Sequence, residues 1–436
     1  MPKIDLNKLG YPEAPKIVAT PPGPKSTEMF NKIQTVLAQQ LYGLMLPQHH
    51  IIWESAKGDT VRDLDGNVYI DWTAGFHMAS AGHAPPQVIE AVRNAASKFV
   101  NTANWSFELR YEAAKKLLSI CPSKLNKVVL GGGSGTEATL AAVEAARLFK
   151  KKNDVISLYT HYHGQSTIGP WWGRNVNLLM APSCNCYHCA FKMKYPKCGI
   201  YCAEFIEQVI KNQSQHNTAA VILEPWARYH GTPKGYLTKL RKVCDDNGVL
   251  MIADEITCGI GRSGKWWMCD WENVVPDILC TAKGVTSGFP GSAIVAPEEI
   301  VNSLPLGSQI HSYAANTMTC AAMVSTIDLI KELDLVNNAH KVGELIRKRL
   351  LEMQSKHEMI GSVNAWGLNV GVTIVKDRVS REVDMKTAAQ VYLKWLQKGV
   401  LNYGFPWTTP PLCLTKEHAE KSLDLFEECI KEVEKA

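Results

Sequence analysis

Four short, unbroken apolar runs mark the middle of the chain, at 127–132 (KVVLGG), 219–225 (AAVILEP), 249–255 (VLMIADE) and 277–282 (DILCTA). Runs this short, flanked by polar residues, suit strands covered on both faces, which is the setting of a parallel sheet. Helical patterns stand between them: EATLAAVEAARLFKK follows the first and TKLRKVCDDNG precedes the third. The alternation predicts an α/β domain with a largely parallel sheet over residues 80–325. Residues 326–436 carry two amphipathic helical stretches around the strand-like NVGVTIV, as expected of a small α+β lobe. Residues 1–79 are expected to form an N-terminal arm and part of that lobe. Prolines at 2, 12, 15, 21, 22 and 24 favour an extended arm, of a kind that often lies on a partner subunit. After it, TVRDLDGNVYIDW has the alternation and the Asp65-Gly66 turn pair of a hairpin.

At 436 residues the chain exceeds what one hydrophobic core usually serves, so two structural regions sharing one site are expected. Apolar residues make up 46% and charged residues 20%, leaving no compositional case for disorder. The net charge of +5 is scattered without a basic stripe, which argues against nucleic-acid binding. The N-terminus lacks the apolar core of a secretory signal and no run approaches about 18 apolar residues, so a cytoplasmic chain without a membrane segment is expected.

Ligands of an open parallel sheet bind at the carboxyl ends of its strands. The first run ends in GGGSGTE and leads straight into a helix, where free N–H groups, the positive end of the dipole and the hydroxyls of Ser134 and Thr136 suit a phosphate. The third delivers Asp254 and Glu255, and a carboxylate placed there needs a cation such as a protonated pyridine nitrogen. The fourth delivers Lys283, whose amine, once partly desolvated, forms Schiff bases with aldehydes. Seen alone, each has a plainer reading: a Gly-rich turn with Thr136 as helix cap, a loop-capping carboxylate, a solvated lysine. Together, phosphate cradle, ring-nitrogen acid and amine describe one cofactor, pyridoxal 5′-phosphate.

The order and local sequence of these segments resemble the class III (ornithine/4-aminobutyrate type) aminotransferases, of fold type I. The resemblance spans nearly the whole chain: DGNVYIDWTAGFHMASAGHAPPQV, SGTEATLAAVEAAR, HYHGQST, ADEITCGIGRSGKW and PDILCTAKGVTSG each match a family segment, and HSYAANTMTC follows in order. It implies an α/β large domain with a small α+β domain. It also implies that Ser134, Gly135 and Thr136 hold the phosphate, that Tyr162 stacks on the ring, and that Asp254 pairs with the ring nitrogen. Lys283 would carry the cofactor and shuttle the proton. Ser312 would reach the phosphate of the neighbouring subunit, making the enzyme a homodimer with shared sites. The implied reaction moves an amino group from a donor amine or amino acid to a keto acid by ping-pong chemistry.

Several positions depart from the family. Thr257 stands where a Gln usually supports the cofactor's phenolic oxygen. The EPxxGxGG stretch is EPWARYHG, which keeps Glu224 and brings in Trp226 and Arg228. Trp407 stands where an Arg usually clamps the substrate carboxylate, exchanging a bidentate guanidinium for apolar surface. Phe76 is a further pocket candidate. These changes leave Arg228 as an alternative carboxylate contact, or a donor with its polar end elsewhere; Trp407 and Trp226 could stack on an aromatic substrate or simply pack. A racemase or aminomutase on the same machinery is the close alternative, although the acid that some racemases place near Tyr229 is missing. A non-catalytic protein that retains the cofactor is a third reading. Finally, Cys184, Cys186, Cys189, Cys198 and Cys202 crowd a loop-like stretch open to a structural zinc site, to disulfides or to unlinked thiols, none of them catalytic. No metal is expected in the active site.

Overall fold

The computed structural model describes residues 5–38, 50–103, 105–166, 177–227, 231–309 and 311–435. They divide into two compact units, one of residues 1–85 with 333–436 and one of residues 86–332.

In the first unit, β1 (Trp53–Lys57), β2 (Thr60–Asp63) and β3 (Val68–Asp71) run antiparallel. The expected hairpin is present, with Thr60 opposite Ile70 and Gly66 at φ 85° in the turn. The N-terminal arm lies on its own chain: Lys16 and Val68 exchange two backbone hydrogen bonds of 2.8 Å, and Asn67 accepts the N–H groups of Val18 and Ala19. It gives way to a helix, Pro24–Gln34, with proline in the first turn, where a missing N–H costs nothing.

The second unit is built on seven strands: β4 (Lys127–Gly131), β5 (Asp154–Leu158), β6 (Leu178–Ala181), β7 (Thr218–Leu223), β8 (Leu250–Asp254), β9 (Ile278–Ala282) and β10 (Ser292–Ala296), in the order β4-β10-β9-β8-β7-β5-β6. From β9 to β6 all pairs are parallel; β10 runs antiparallel to both neighbours. Alternating side chains serve opposite faces. Ala220 and Ile222 of β7 join Ile252 and Ile278 beneath the helix Gly135–Lys150, whose Ala138, Ala141, Ala142 and Ala145 let it lie close to the sheet. Val221 and Leu223 pack on the other face with Met251, Ile206, Leu237 and Leu240. Each such Leu or Ile contributes about 1.5–3 kcal/mol through burial.

Returning to the first unit, β11 (Ile360–Trp366), β12 (Asn369–Ile374) and β14 (Trp407–Thr408) form a second antiparallel sheet, and β13 (Val400–Leu401) adds parallel to β3. The helices Leu335–Lys356 and Lys416–Glu434 contain the two amphipathic stretches. Among the described residues no helix is long and apolar enough to cross a membrane.

Candidate active site

The carboxyl ends of β4, β7, β8 and β9 present Gly132–Thr136, Glu224, Asp254 and Lys283. Lys283 follows β9 directly and takes a left-handed backbone (φ 48°), a conformation costly for a residue with a Cβ and characteristic of functional sites. Its Nζ donates to Thr257 Oγ1 at 3.2 Å. Burial pushes the amine's pKa down; the nearby carboxylates of Glu224 and Asp254 oppose this, and Arg262 adds to it, leaving a net lowering. The result is an amine more readily neutral than a solvated lysine.

Asp254 is 3% exposed. Its Oδ2 lies 2.7 Å from Nδ1 of His163, itself fully buried, and Oδ1 accepts the N–H of Ile256 at 3.2 Å. His163 was not singled out from the sequence; its signal is the histidine after the aromatic residue in HYHGQST. Tyr162, one residue earlier, is about a third exposed, and its N–H donates to Glu224 Oε2 at 2.7 Å. Glu255 takes no part: it is fully buried on the other side of the strand end, accepting the N–H groups of Met268 and Cys269 and lying 3.1 Å from the Cys258 thiol.

The helix Gly135–Lys150 opens with Ser134 as its N-cap, in place of the Thr136 cap considered above, and the Ser134 hydroxyl caps no N–H. Glu137, unnoticed in the sequence, turns back to accept the N–H groups of Gly132 and Gly133 at 2.7 and 3.1 Å. The spacing Ser-x-x-Glu is its signal. Thr136 Oγ1 accepts the Gln165 N–H at 3.2 Å, and Gly164 (φ 88°) sits so close that a Cβ there would meet Thr136 Oγ1 at 2.3 Å. A Cβ on Gly135 would meet Ile256 at 2.8 Å. Thr139 Oγ1 donates to the carbonyl of His163 at 2.9 Å, tying the helix to the 161–165 segment. These contacts gather Ser134, Gly135, Thr136, Tyr162, Asp254, Thr257, Glu224 and Lys283 into one region.

Ser312 is exposed on a turn whose carbonyl accepts from Asn101. Trp226 has no exposed surface and packs on Gly231, where a Cβ would meet its ring at 2.6 Å. Arg228 lies outside the described residues. In the first unit, Trp407 is 7% exposed with its ring 4.2 Å from that of His77, and Phe76 is 48% exposed beside Tyr403. Ala74, Phe76 and His77 all have positive φ, so Phe76 projects from a strained turn.

The family model for aminotransferase class-III matches residues 45–430. The chain belongs to the class-III aminotransferases. It is 31% identical to an alanine/serine racemase of Pyrococcus horikoshii, over 96% of this chain and 93% of the relative. It is 30% identical to ornithine aminotransferase 1 of Staphylococcus aureus, over 87% and 95%. A Bacillus anthracis aminotransferase shares the fold, with a TM-score of 0.84 at 22% identity, covering 94% of this chain and 99% of the other. This class-III aminotransferase is thus an α/β enzyme of fold type I that uses pyridoxal 5′-phosphate. Its residues fit that cofactor: an amine at a strand end, a buried carboxylate already fixed by a histidine, and an uncommitted serine hydroxyl at a helix N-terminus where glycines keep side chains away.

Proposed function

We propose that this aminotransferase runs ping-pong transamination with Lys283 and Asp254 as its catalytic pair, on a donor whose polar end is not held by a C-terminal arginine. The observation that carries the reading is the desolvated Lys283 amine on Thr257, in reach of an Asp254 carboxylate fixed by His163. When bound, pyridoxal phosphate supplies an electron sink for the donor's α-carbon. Asp254 provides the fixed negative charge that holds the ring nitrogen protonated, and His163 keeps that carboxylate in place. Lys283 Nζ would accept the proton from the donor carbon and deliver it to the cofactor's C4′. Thr257 orients the amine, and its short hydroxyl would support the cofactor's phenolic oxygen where the family has glutamine. Tyr162, anchored through its backbone to Glu224, offers its ring as a stacking face. Ser134, Gly135 and Thr136 receive the phosphate, and Ser312, exposed on its turn, serves the phosphate of a second copy. The working form is accordingly a cytoplasmic homodimer. Glu224, Phe76, Trp407 and Arg228 are its substrate-contact candidates; for the last three this rests on sequence position.

A second reading, racemisation of an amino acid, is favoured by the similarity to the Pyrococcus horikoshii alanine/serine racemase. One experiment divides them. The cofactor-loaded enzyme is mixed in heavy water, without acceptor, with a panel of amines and D- and L-amino acids, while cofactor absorbance and substrate deuteration are followed. Transamination converts the lysine-bound absorbance to that of the aminated cofactor and releases keto product in stoichiometric amount. Deuterated or inverted substrate with the lysine-bound absorbance intact would overturn it in favour of racemisation.

A further inference from the structure

The cysteine-rich stretch has no part in the proposed reaction. It joins β6 to the helix Tyr201–Gln208 through turns alone, with neither helix nor strand between residues 182 and 200. A connection of that length without regular structure needs something to hold it. Its thiols are not spread along the surface. Cys186 and Cys189 on one turn, Cys198 on a second, and Cys202 in the first turn of the helix all line one small cavity. The turns are defined: His188 N–H donates to Asn185 Oδ1 at 3.0 Å, Lys192 N–H to the Cys189 carbonyl at 2.9 Å, and Tyr201 N–H to the Cys198 carbonyl at 3.1 Å. Gly199 and Ile200, both left-handed at φ 56° and 59°, tighten the link between Cys198 and Cys202. Each pair therefore comes from a short, fixed turn, in the order Cys-x2-Cys then Cys-x3-Cys. Cys186 lies within electrostatic reach of Cys189 and Cys198, and Cys202 of Cys186, Cys189 and Cys198, so the four form one group. The fifth thiol, Cys184, lines the same cavity within electrostatic reach of Cys186 and Cys202, but it is 5% exposed and belongs to the apolar core with Tyr236 and Ile206.

We propose that Cys186, Cys189, Cys198 and Cys202 hold one structural zinc ion that staples this connection to the head of the helix. Four sulfur ligands from two turns suit tetrahedral zinc and leave no open position for catalysis. Among the described residues no three His, Cys, Asp or Glu side chains are placed so as to hold a metal ion, so binding requires the thiols to turn inward about their Cα–Cβ bonds as the ion enters. In that step four S–H groups each lose a proton to solvent and four zinc–sulfur bonds form, with no change of oxidation state. His188, exposed on its turn, is not required.

The full-length enzyme, purified without chelators, should carry about one zinc per chain by plasma mass spectrometry. Exchange into cobalt should give the intense visible bands of tetrahedral cobalt with thiolate charge transfer. Iodoacetamide footprinting of the native protein should leave these four cysteines unmodified until a chelator is added. Cys189→Ser should lower zinc content at least tenfold, whereas Cys121→Ser should leave it unchanged. Footprinting and the cobalt spectrum use the wild-type chain, so a misfolded variant does not void the test. An intact mass two hydrogens lower per bridge with no zinc, free alkylation of the four thiols without chelator, or zinc retained by Cys189→Ser would each overturn the proposal.

Discussion

Each catalytic candidate acquires its chemistry from two or three neighbours. Asp254 is held by His163 and the Ile256 N–H, so in the proposed role it would meet a ring nitrogen as a fixed charge that needs no reorganisation. Asp254→Asn keeps the shape and removes the charge; turnover in the amino-donor half-reaction should fall on the order of 10²-fold or more, measured by stopped-flow absorbance. A variant within a few-fold of wild type would remove Asp254 from the mechanism. Its neighbour Glu255 answers to pH instead. Burial pushes its carboxyl up to about 7, with the Met268 and Cys269 N–H groups and the Cys258 thiol opposing. Between its ordinary value and about 7 the folded chain holds a proton that the unfolded chain has lost. Stability should therefore decline as pH rises through that window, by about 3 kcal/mol in total. In Glu255→Gln the fall in Tm between pH 5 and pH 8 should shrink; an unchanged fall would assign it to other groups.

At the level of elements, the helix Gly135–Lys150 shows how sequence sets an end and tertiary structure sets a site. Its C-terminus closes in a left-handed turn at Lys151 (φ 52°), with the Lys152 N–H reaching back to the Arg147 carbonyl. Glycine is favoured there because it has no Cβ to crowd the carbonyl. Lys151→Gly should stabilise the enzyme by about 1 kcal/mol, read as a raised midpoint in urea with unchanged slope. At the other end, alanines place the helix on the sheet, and the close approach at Gly135 and Gly164 brings its N-terminus level with the strand ends. The antiparallel β10 and the short strands β5 and β6 were not read from the sequence. SAIVA, DVISL and LLMA are too short to be told from buried helical segments by periodicity, and only their pairing partners define them.

For the molecule as a whole, a site that takes Ser312 from a second copy requires association. Sedimentation equilibrium should return twice the chain mass at working concentrations, and Ser312→Ala should weaken cofactor binding about tenfold, about 1.4 kcal/mol. A monomer with full activity would contradict the shared site. By itself the sequence determined the alternation of buried strands and helices, the hairpin at Asp65-Gly66 and the placing of Ser134, Asp254 and Lys283 at strand ends, because period, turn residues and strand-end position are local properties. It did not reveal that Glu137 occupies the N–H groups of Gly132 and Gly133, that His163 fixes Asp254, or that Glu255 turns into the core. Nor did it give the burial of Trp226 or the gathering of five cysteines around one cavity. Those facts depend on which side chains meet across strands far apart in the chain, and on how much water is left between them. Tertiary packing alone decides both, since a side chain's charge state and partners follow from its surroundings rather than from its place in the sequence.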